Sequence, residues 1–224
     1  MSESVKRVAI QGIAGAFHEL AAHRHFGNTI TIVECDTFKE MCRKLSTGEV
    51  DFAVMAIENT IAGTLLQNYS LINNHQFKII GEVYLQIQMQ LMALLGVSLK
   101  DIEFVHSHPI AIAQTREFLD TLSSRIQVVE TNDTAESAKQ IVDKELKNTA
   151  AVAGANVAEM YNLNILAKDI HTHKQNFTRF LVLSTEGVEN PANNKASLCF
   201  EVAHKSGSLA EVLTIWAHHG INLT

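Results

Sequence analysis

The stretch FKIIGEVYLQIQMQLMAL, running from Phe77 to Leu94, decides how the rest of the chain is read. Val83, Leu85, Ile87, Met89 and Leu91 alternate with Gln86, Gln88 and Gln90. That period of two places apolar side chains on one face of an extended chain. The run is far longer than a usual strand. A second long, strand-rich stretch, Ile165 to Ser184, lies well downstream. The pair reads either as two long edge strands of one sheet or as two segments that each cross between separate lobes. The crossover reading is preferred, with the chain leaving the first lobe near Gly81 and returning near Ala167.

Outward from these stretches, strand and helix patterns alternate. Val5 to Gln11 reads as a strand, Gly12 to Gly15 as a tight turn and Ala16 to Phe26 as a helix. Thr29 to Glu34 reads as a strand, and Asp36 as the N-cap of a helix over residues 37–45, with Gly48 just beyond its end. Asp51 to Ile57 is apolar almost throughout, as in a strand covered on both faces. A helix is expected around Gly63 to Ile72. Strand–helix pairs follow over residues 104–122, 127–146 and 150–161. The class expected is α/β, two lobes of mostly parallel sheet joined by a double crossover.

Composition narrows the functional classes. The 224 residues are 46% hydrophobic, enough to bury a sizeable core. Eighteen Lys and Arg against 24 Asp and Glu give a net charge of −6, with no basic run longer than two residues, so no nucleic-acid partner is expected. The opening Met1 to Arg7 is polar, and no stretch is apolar and charge-free enough to span a bilayer, so no membrane association is expected. Cys35, Cys42 and Cys199 form no paired or metal-ligand spacing, which fits a reducing, cytoplasmic compartment. His171 and His173 share a strand face but lack a third ligand, and no metal is expected. Gly12 and Gly15 supply only part of a dinucleotide fingerprint, and no cofactor is expected.

In doubly wound sheets, ligands sit beyond the carboxyl ends of strands, against helix N-termini. Four junctions carry suitable groups: the Gly12–Gly15 turn, Asn59 with Thr60, Ser107 with His108 before Pro109, and Thr131 with Thr134 flanking Asp133. Each by itself is also an ordinary helix cap. Convergence of all four on one face is what an anion-binding cleft requires.

Several strings then resemble the prephenate dehydratase family. Residues 8–17, VAIQGIAGAF, are similar to its opening. Ala56-Ile57-Glu58-Asn59-Thr60 with Gly63 resembles P-I-E-N-S/T-x-x-G. Ser107-His108-Pro109 with Ala111 and Gln114 resembles S-H-P-Q-A-L-A-Q, and Asn176-Phe177-Thr178-Arg179-Phe180 resembles N-x-T-R-F. Ala56 and Ile110 depart from the pattern, and Ala16 and His18 stand where a hydroxyl residue is common.

The resemblance implies a periplasmic-binding-protein type II-like catalytic region over residues 1–184. Lobe one would hold about 1–80 plus 167–184, and lobe two about 81–166. It implies cofactor-free decarboxylation and dehydration of prephenate to phenylpyruvate. Thr178 would assist departure of the ring hydroxyl. Asn59, Thr60, Ser107, His108, Gln114, Thr134, Arg179 and Phe180 would bind substrate, with Arg179 either gripping a carboxylate or held in a structural ion pair. Arogenate, with an amine in place of the keto group, is the alternative substrate. The rival classes are a two-lobed binding protein for an amino acid or organic anion, and an amino-acid-sensing regulator.

A Gly-, Pro- and Asn-containing linker over residues 185–195 precedes residues 196–224, which resemble the first part of an α+β ACT regulatory domain. Strands are expected over 196–203 and from Ile221, with a helix over 208–218 between them. Gly207, Ser208, Leu209, Asn222 and Leu223 would contact an allosteric phenylalanine, and the resemblance implies a homodimer or homotetramer.

Overall fold

The computed structural model describes residues 5–122, 124–187 and 192–223. They fall into two units, residues 1–188 and 189–224. The larger begins with β1 (Lys6–Gln11), α1 (Phe17–Phe26), β2 (Ile30–Cys35), α2 (Phe38–Ser46), β3 (Phe52–Asn59), the short β4 (Gly63–Thr64), α3 (Leu66–His75) and β5 (Lys78–Gln86). It continues with β6 (Gln90–Ala93), β7 (Phe104–Ser107), α4 (Pro109–Gln114), α5 (Arg116–Thr121), β8 (Gln127–Glu130), α6 (Thr134–Asp143), β9 (Thr149–Ala153), α7 (Ala155–Met160), β10 (Asn164–Ala167) and β11 (Phe177–Ser184).

Two sheets result, ordered β2-β1-β3-β11-β5 and β10-β6-β9-β7-β8, with β4 added beside β3. Read from β2 and from β8, both follow one plan: second strand, first, third, an inserted strand, then the outgoing strand. The inserted strand has arrived from the other lobe in each case. β11 runs antiparallel to β3 and β5, and β6 antiparallel to β9 and β10. Only β1–β2, β1–β3, β7–β8 and β7–β9 are parallel. The two lobes and double crossover are as expected, but the sheets are mixed rather than mostly parallel. A strand that returns from a distant lobe needs no helical crossover beside its neighbours and can therefore pair antiparallel.

The crossing falls later than Gly81. β5 stays in the first sheet to Gln86, opposite Phe177, so residues 87–89 and 168–176 make the two connections. Gly81 is not a break point: a Cβ there would lie 2.4 Å from the His25 ring. Val83, Leu85, Ile87, Met89 and Leu91 are all buried, alternating with exposed neighbours up to Gln88, after which β6 is buried on both faces. These five join residues of both lobes in one continuous apolar cluster, while a second and a third cluster cover the outer faces of the two sheets. Backbone bonds from Ile87 N–H to the Asn176 carbonyl (2.7 Å) and Ile170 N–H to the Met89 carbonyl (2.9 Å) bind the two connections together.

Smaller expectations shift too. Thr37, not Asp36, caps α2, accepting from Glu40 N–H at 3.1 Å. The helix expected from Gly63 starts at Leu66, after β4.

The second unit contains α8 (Ser208–His218), begun by Gly207 at φ 89°, and a contact between the Phe200 and Trp216 rings at 4.9 Å. Residues 196–203 and 221–223 form no strand, contrary to expectation, and Thr224 lies outside the described residues. A lone extended segment has no ladder partner and is not a strand until one is supplied. Leu198, Phe200, Val202, Leu213, Ile215 and Ile221 are left exposed. Of the expected linker, residues 188–191 lie outside the described residues, and the remainder is neither helix nor strand.

Candidate active site

A cavity of about 220 Å³ opens beside the two connections. Three of the four junctions singled out from the sequence line it, through Asn59 at the end of β3, His108 before α4, and Asp133 with Thr134 at the start of α6; of the first, only the flanking Gln11 and Ala16 do, and not the Gly12–Gly15 turn itself. Gln114, Thr178 and Phe180 also line it, with Phe17, Leu65, Ile87, Met89 and Ile110 as its apolar walls.

A β-bulge sets which side chains face in. Thr178 lies opposite Asn59, Arg179 opposite Glu58, but Phe180 opposite Ala56, so Ile57 is the extra residue of β3. Extra residues of this kind re-aim their neighbours. Ile57 turns into the core on the far side of the sheet, and the small Ala56 faces the cavity.

The polar groups form one directed chain. Asn59 Oδ1 accepts from the N–H groups of Ile61 (2.9 Å) and Ala62 (2.8 Å), which fixes its Nδ2 as the outward donor. Nδ2 donates to Thr178 Oγ1 at 2.9 Å and to Asn176 Oδ1 at 2.8 Å. Asn176 Nδ2 then donates to Gln114 Oε1 at 3.0 Å. Because the Thr178 oxygen and the Gln114 carbonyl both accept, the Thr178 O–H and the Gln114 N–H groups remain as donors at the cavity. His108 Nδ1 accepts from Ile110 N–H at 3.2 Å, so its Nε2 carries the proton.

Three candidates are elsewhere. Ser107 is fully buried and donates to the Val152 carbonyl at 2.7 Å, because a buried hydroxyl requires a partner and the neighbouring strand supplies one. Thr60 accepts from Phe177 N–H and donates to the Gln175 carbonyl, both at 2.9 Å. It thereby clamps the returning connection just before Thr178. Arg179 points from the opposite face of β11, where its fork meets Glu82 at 2.9 Å and Glu58 at 3.4 Å. The ion-pair reading of this arginine is the one the geometry supports.

The glycine turn also departs from expectation. Ala14 N–H donates to Glu34 Oε1 at 2.6 Å, Gly15 N–H to Glu19 Oε2 at 2.5 Å, and Gly12 N–H to the Cys35 carbonyl at 2.9 Å. Those donors are spent within the protein, not offered to a ligand.

Three site residues were not expected from the sequence to bind substrate: Asn176, His18 and Asp133. Asn176 is fully buried and couples both lobes, and only its place in the N-x-T-R-F string signalled it. His18 lines the cavity, edge-on to Phe180 at 5.0 Å, and burial lowers its pKa to about 4. Its Nε2 accepts from Ala56 N–H at 3.4 Å, a bond that a proline at 56 could not make. Asp133 caps α6, and burial raises its pKa. No group of three or more His, Cys, Asp or Glu among the described residues is placed to hold a metal. In the second unit, Gly207, Ser208 and Leu209 line one concavity, while Asn222 and Leu223 do not.

The fold and site thus define a two-lobed α/β protein whose cleft presents neutral hydrogen-bond donors to a small molecule. The prephenate dehydratase family model matches residues 8–188, and the chain belongs to that family. It is 39% identical over 220 residues to Arabidopsis thaliana arogenate dehydratase/prephenate dehydratase 2, covering 97% of this chain and 57% of that one. With the Aquifex aeolicus bifunctional chorismate mutase/prephenate dehydratase it shares 33% identity, over 97% of this chain and 59% of that one. The chain therefore spans little more than half the length of these relatives. Among solved structures, the Arthrobacter aurescens prephenate dehydratase in complex with L-Phe is similar at TM-score 0.83 and 28% identity, covering 97% of this chain and 74% of that one. A structure described as GqqA, a novel type of quorum quenching acylases, is similar at TM-score 0.81 and 29% identity, covering 98% and 79%.

Proposed function

We propose that the chain is a carbon–oxygen lyase that converts prephenate to phenylpyruvate without a cofactor. The ring carboxylate leaves as carbon dioxide, its bonding electrons enter the ring, and the carbon–oxygen bond opposite breaks. The departing hydroxide takes up one proton and leaves as water. Aromatisation supplies the driving force, so the protein has only to orient the substrate and stabilise charge on the leaving oxygen.

The observation that carries this reading is the bond from Asn59 Nδ2 to Thr178 Oγ1. It makes Thr178 Oγ1 an acceptor toward Asn59 and leaves the Thr178 O–H to donate to the leaving oxygen, a bond that strengthens as charge develops there. A threonine hydroxyl is too weak an acid to give its proton up outright near neutrality. Gln114 and His108 supply further donors. The absence of Lys and Arg among the described lining residues suits the chemistry, since a strong cation on the ring carboxylate would hold it in the ground state.

Residues 196–223 are proposed as part of an ACT-type regulatory module that binds phenylalanine in a homo-oligomer, supported by the concavity around Gly207 and Ser208 and the exposed apolar face. A reducing, cytoplasmic location is supported by the neighbouring unbonded thiols of Cys35 and Cys42. Incubation of the purified chain with prephenate, followed by phenylpyruvate absorbance, tests the activity directly. Binding without turnover of either prephenate or arogenate would replace the enzyme reading with that of a binding protein.

A further inference from the structure

Among the described residues lining the cavity, Asp133 is the one carboxylate, and it stands apart from the Asn59–Thr178–Gln114 chain of donors. Its two oxygens have different work. Oδ1 accepts from the N–H groups of Ala135 (2.7 Å) and Glu136 (3.1 Å), so the first turn of α6 is already capped. Oδ2 accepts from no described residue. It reaches across to the first lobe, 3.2 Å from where a Cβ on Gly12 would sit. Capping requires one oxygen only, and a serine or asparagine would serve. The second oxygen leaves a negative charge in a half-buried wall, where it costs free energy unless a cation answers it. Burial accordingly raises the Asp133 pKa; the two capping N–H groups and the nearby His108 offset this only in part, and no Lys or Arg stands among the described lining residues.

A dianion with a keto side chain offers that oxygen nothing but repulsion. The same molecule bearing an α-ammonium group offers a charge-assisted hydrogen bond and a smaller net negative charge. Resting on the dehydratase reading above, we propose that Asp133 is a specificity-determining residue. Its Oδ2 receives the α-ammonium of the substrate, so the cleft takes arogenate, the α-amino counterpart of prephenate, in preference to prephenate. The ring hydroxyl, opposite the side chain on the ring, is then left for Thr178. Gly12 contributes by leaving the space that Oδ2 occupies: its φ of 100° suits glycine, and a Cβ would also press on Ala16 at 3.2 Å.

The test is kcat/KM of the full chain for arogenate and for prephenate, measured for the parent, Asp133→Asn and Asp133→Ser. Both replacements keep a capping oxygen and remove the charge. The parent is expected to prefer arogenate by about tenfold or more. Both variants are expected to shift the arogenate-to-prephenate ratio by about 10–100-fold toward prephenate, the range for a hydrogen bond to a charged group. Equal losses on the two substrates, or an unmoved ratio, would reduce Asp133 to a helix cap and overturn the proposal while leaving the dehydratase reading intact. A parent that turns over neither substrate would overturn both.

Discussion

Asn59 and Thr178 stand directly opposite each other on β3 and β11, with the amide of one donating to the hydroxyl of the other. They are 119 residues apart in the chain. With Asn59 as donor, Thr178 Oγ1 acts as acceptor in this pair and its own proton is left to donate elsewhere. Thr178→Ala is expected to lower kcat by about 10²–10³-fold, the scale for losing one preorganised donor, while Thr178→Ser retains much of the rate. Steady-state phenylpyruvate formation measures both. An alanine variant as fast as the parent would remove Thr178 from the mechanism.

Asn176 joins the lobes through Asn59 and Gln114 while fully buried. Asn176→Ala strips a partner from both: Gln114 Oε1 loses its donor, while Asn59 Nδ2 keeps Thr178 Oγ1 and the Phe177 carbonyl at 3.2 Å. A loss of about 1–3 kcal/mol in urea unfolding is expected. In a double-mutant cycle with Gln114→Ala, the coupling should reach at least about 0.5 kcal/mol. Strict additivity would show that the chain of bonds does not act as a unit.

Arg179 holds two carboxylates on the side of β11 away from the cavity. Arg179→Met removes the guanidinium that pairs with both Glu58 and Glu82. The expected result is a stability loss of about 1–3 kcal/mol, between the values for exposed and buried pairs. KM is expected to change by less than about threefold, since no substrate contact is removed. A large rise in KM with unchanged melting temperature would instead make Arg179 a substrate ligand.

His18 gives the fold a pH dependence of definite sign. Burial lowers its pKa from 6.5 to about 4. Between these values the unfolded chain takes up a proton that the folded chain refuses. The contribution is therefore complete above about pH 6.5 and is lost as pH falls toward 4, by up to roughly 3 kcal/mol for this one group. His25, His106 and His171 are lowered in the same direction, chiefly by burial. His18→Gln should lose less stability than the parent between pH 7.5 and 4.5 in urea titrations. Identical pH slopes would show that His18 is not held neutral by the fold.

Much of this architecture was legible in local pattern. The alternation from Val83 to Leu91 announced one continuous extended segment, and the structure buries that whole face. Pro109 after His108 marked the start of α4, and the Gly207–Ser208 step the start of α8. Local pattern misled where a partner decides. Gly81 looked like an exit from the lobe but is the space that the His25 ring occupies. Residues 196–203 alternate like a strand, yet strand formation depends on a neighbouring chain segment. The glycine turn looked open to a ligand until Glu34 and Glu19 were seen to occupy its donors.

What the sequence determined by itself was the set of elements and their punctuation, because helix caps, apolar periodicity and turn glycines act within a few residues. It also marked Asn59, His108 and Thr134 as residues placed where elements meet, while Gln114, Thr178 and Phe180 were marked by the family strings they belong to. Which hydroxyl reaches the cavity was decided only in three dimensions. Ser107 and Thr178 are chemically alike, but one faces a strand carbonyl inside the second lobe and the other faces Asn59 at the cleft. A side chain's role depends on what lies opposite it, and what lies opposite is set by sheet register and by the bulge at Ile57. Those properties belong to pairs of strands distant in sequence, and no single stretch of sequence contains them.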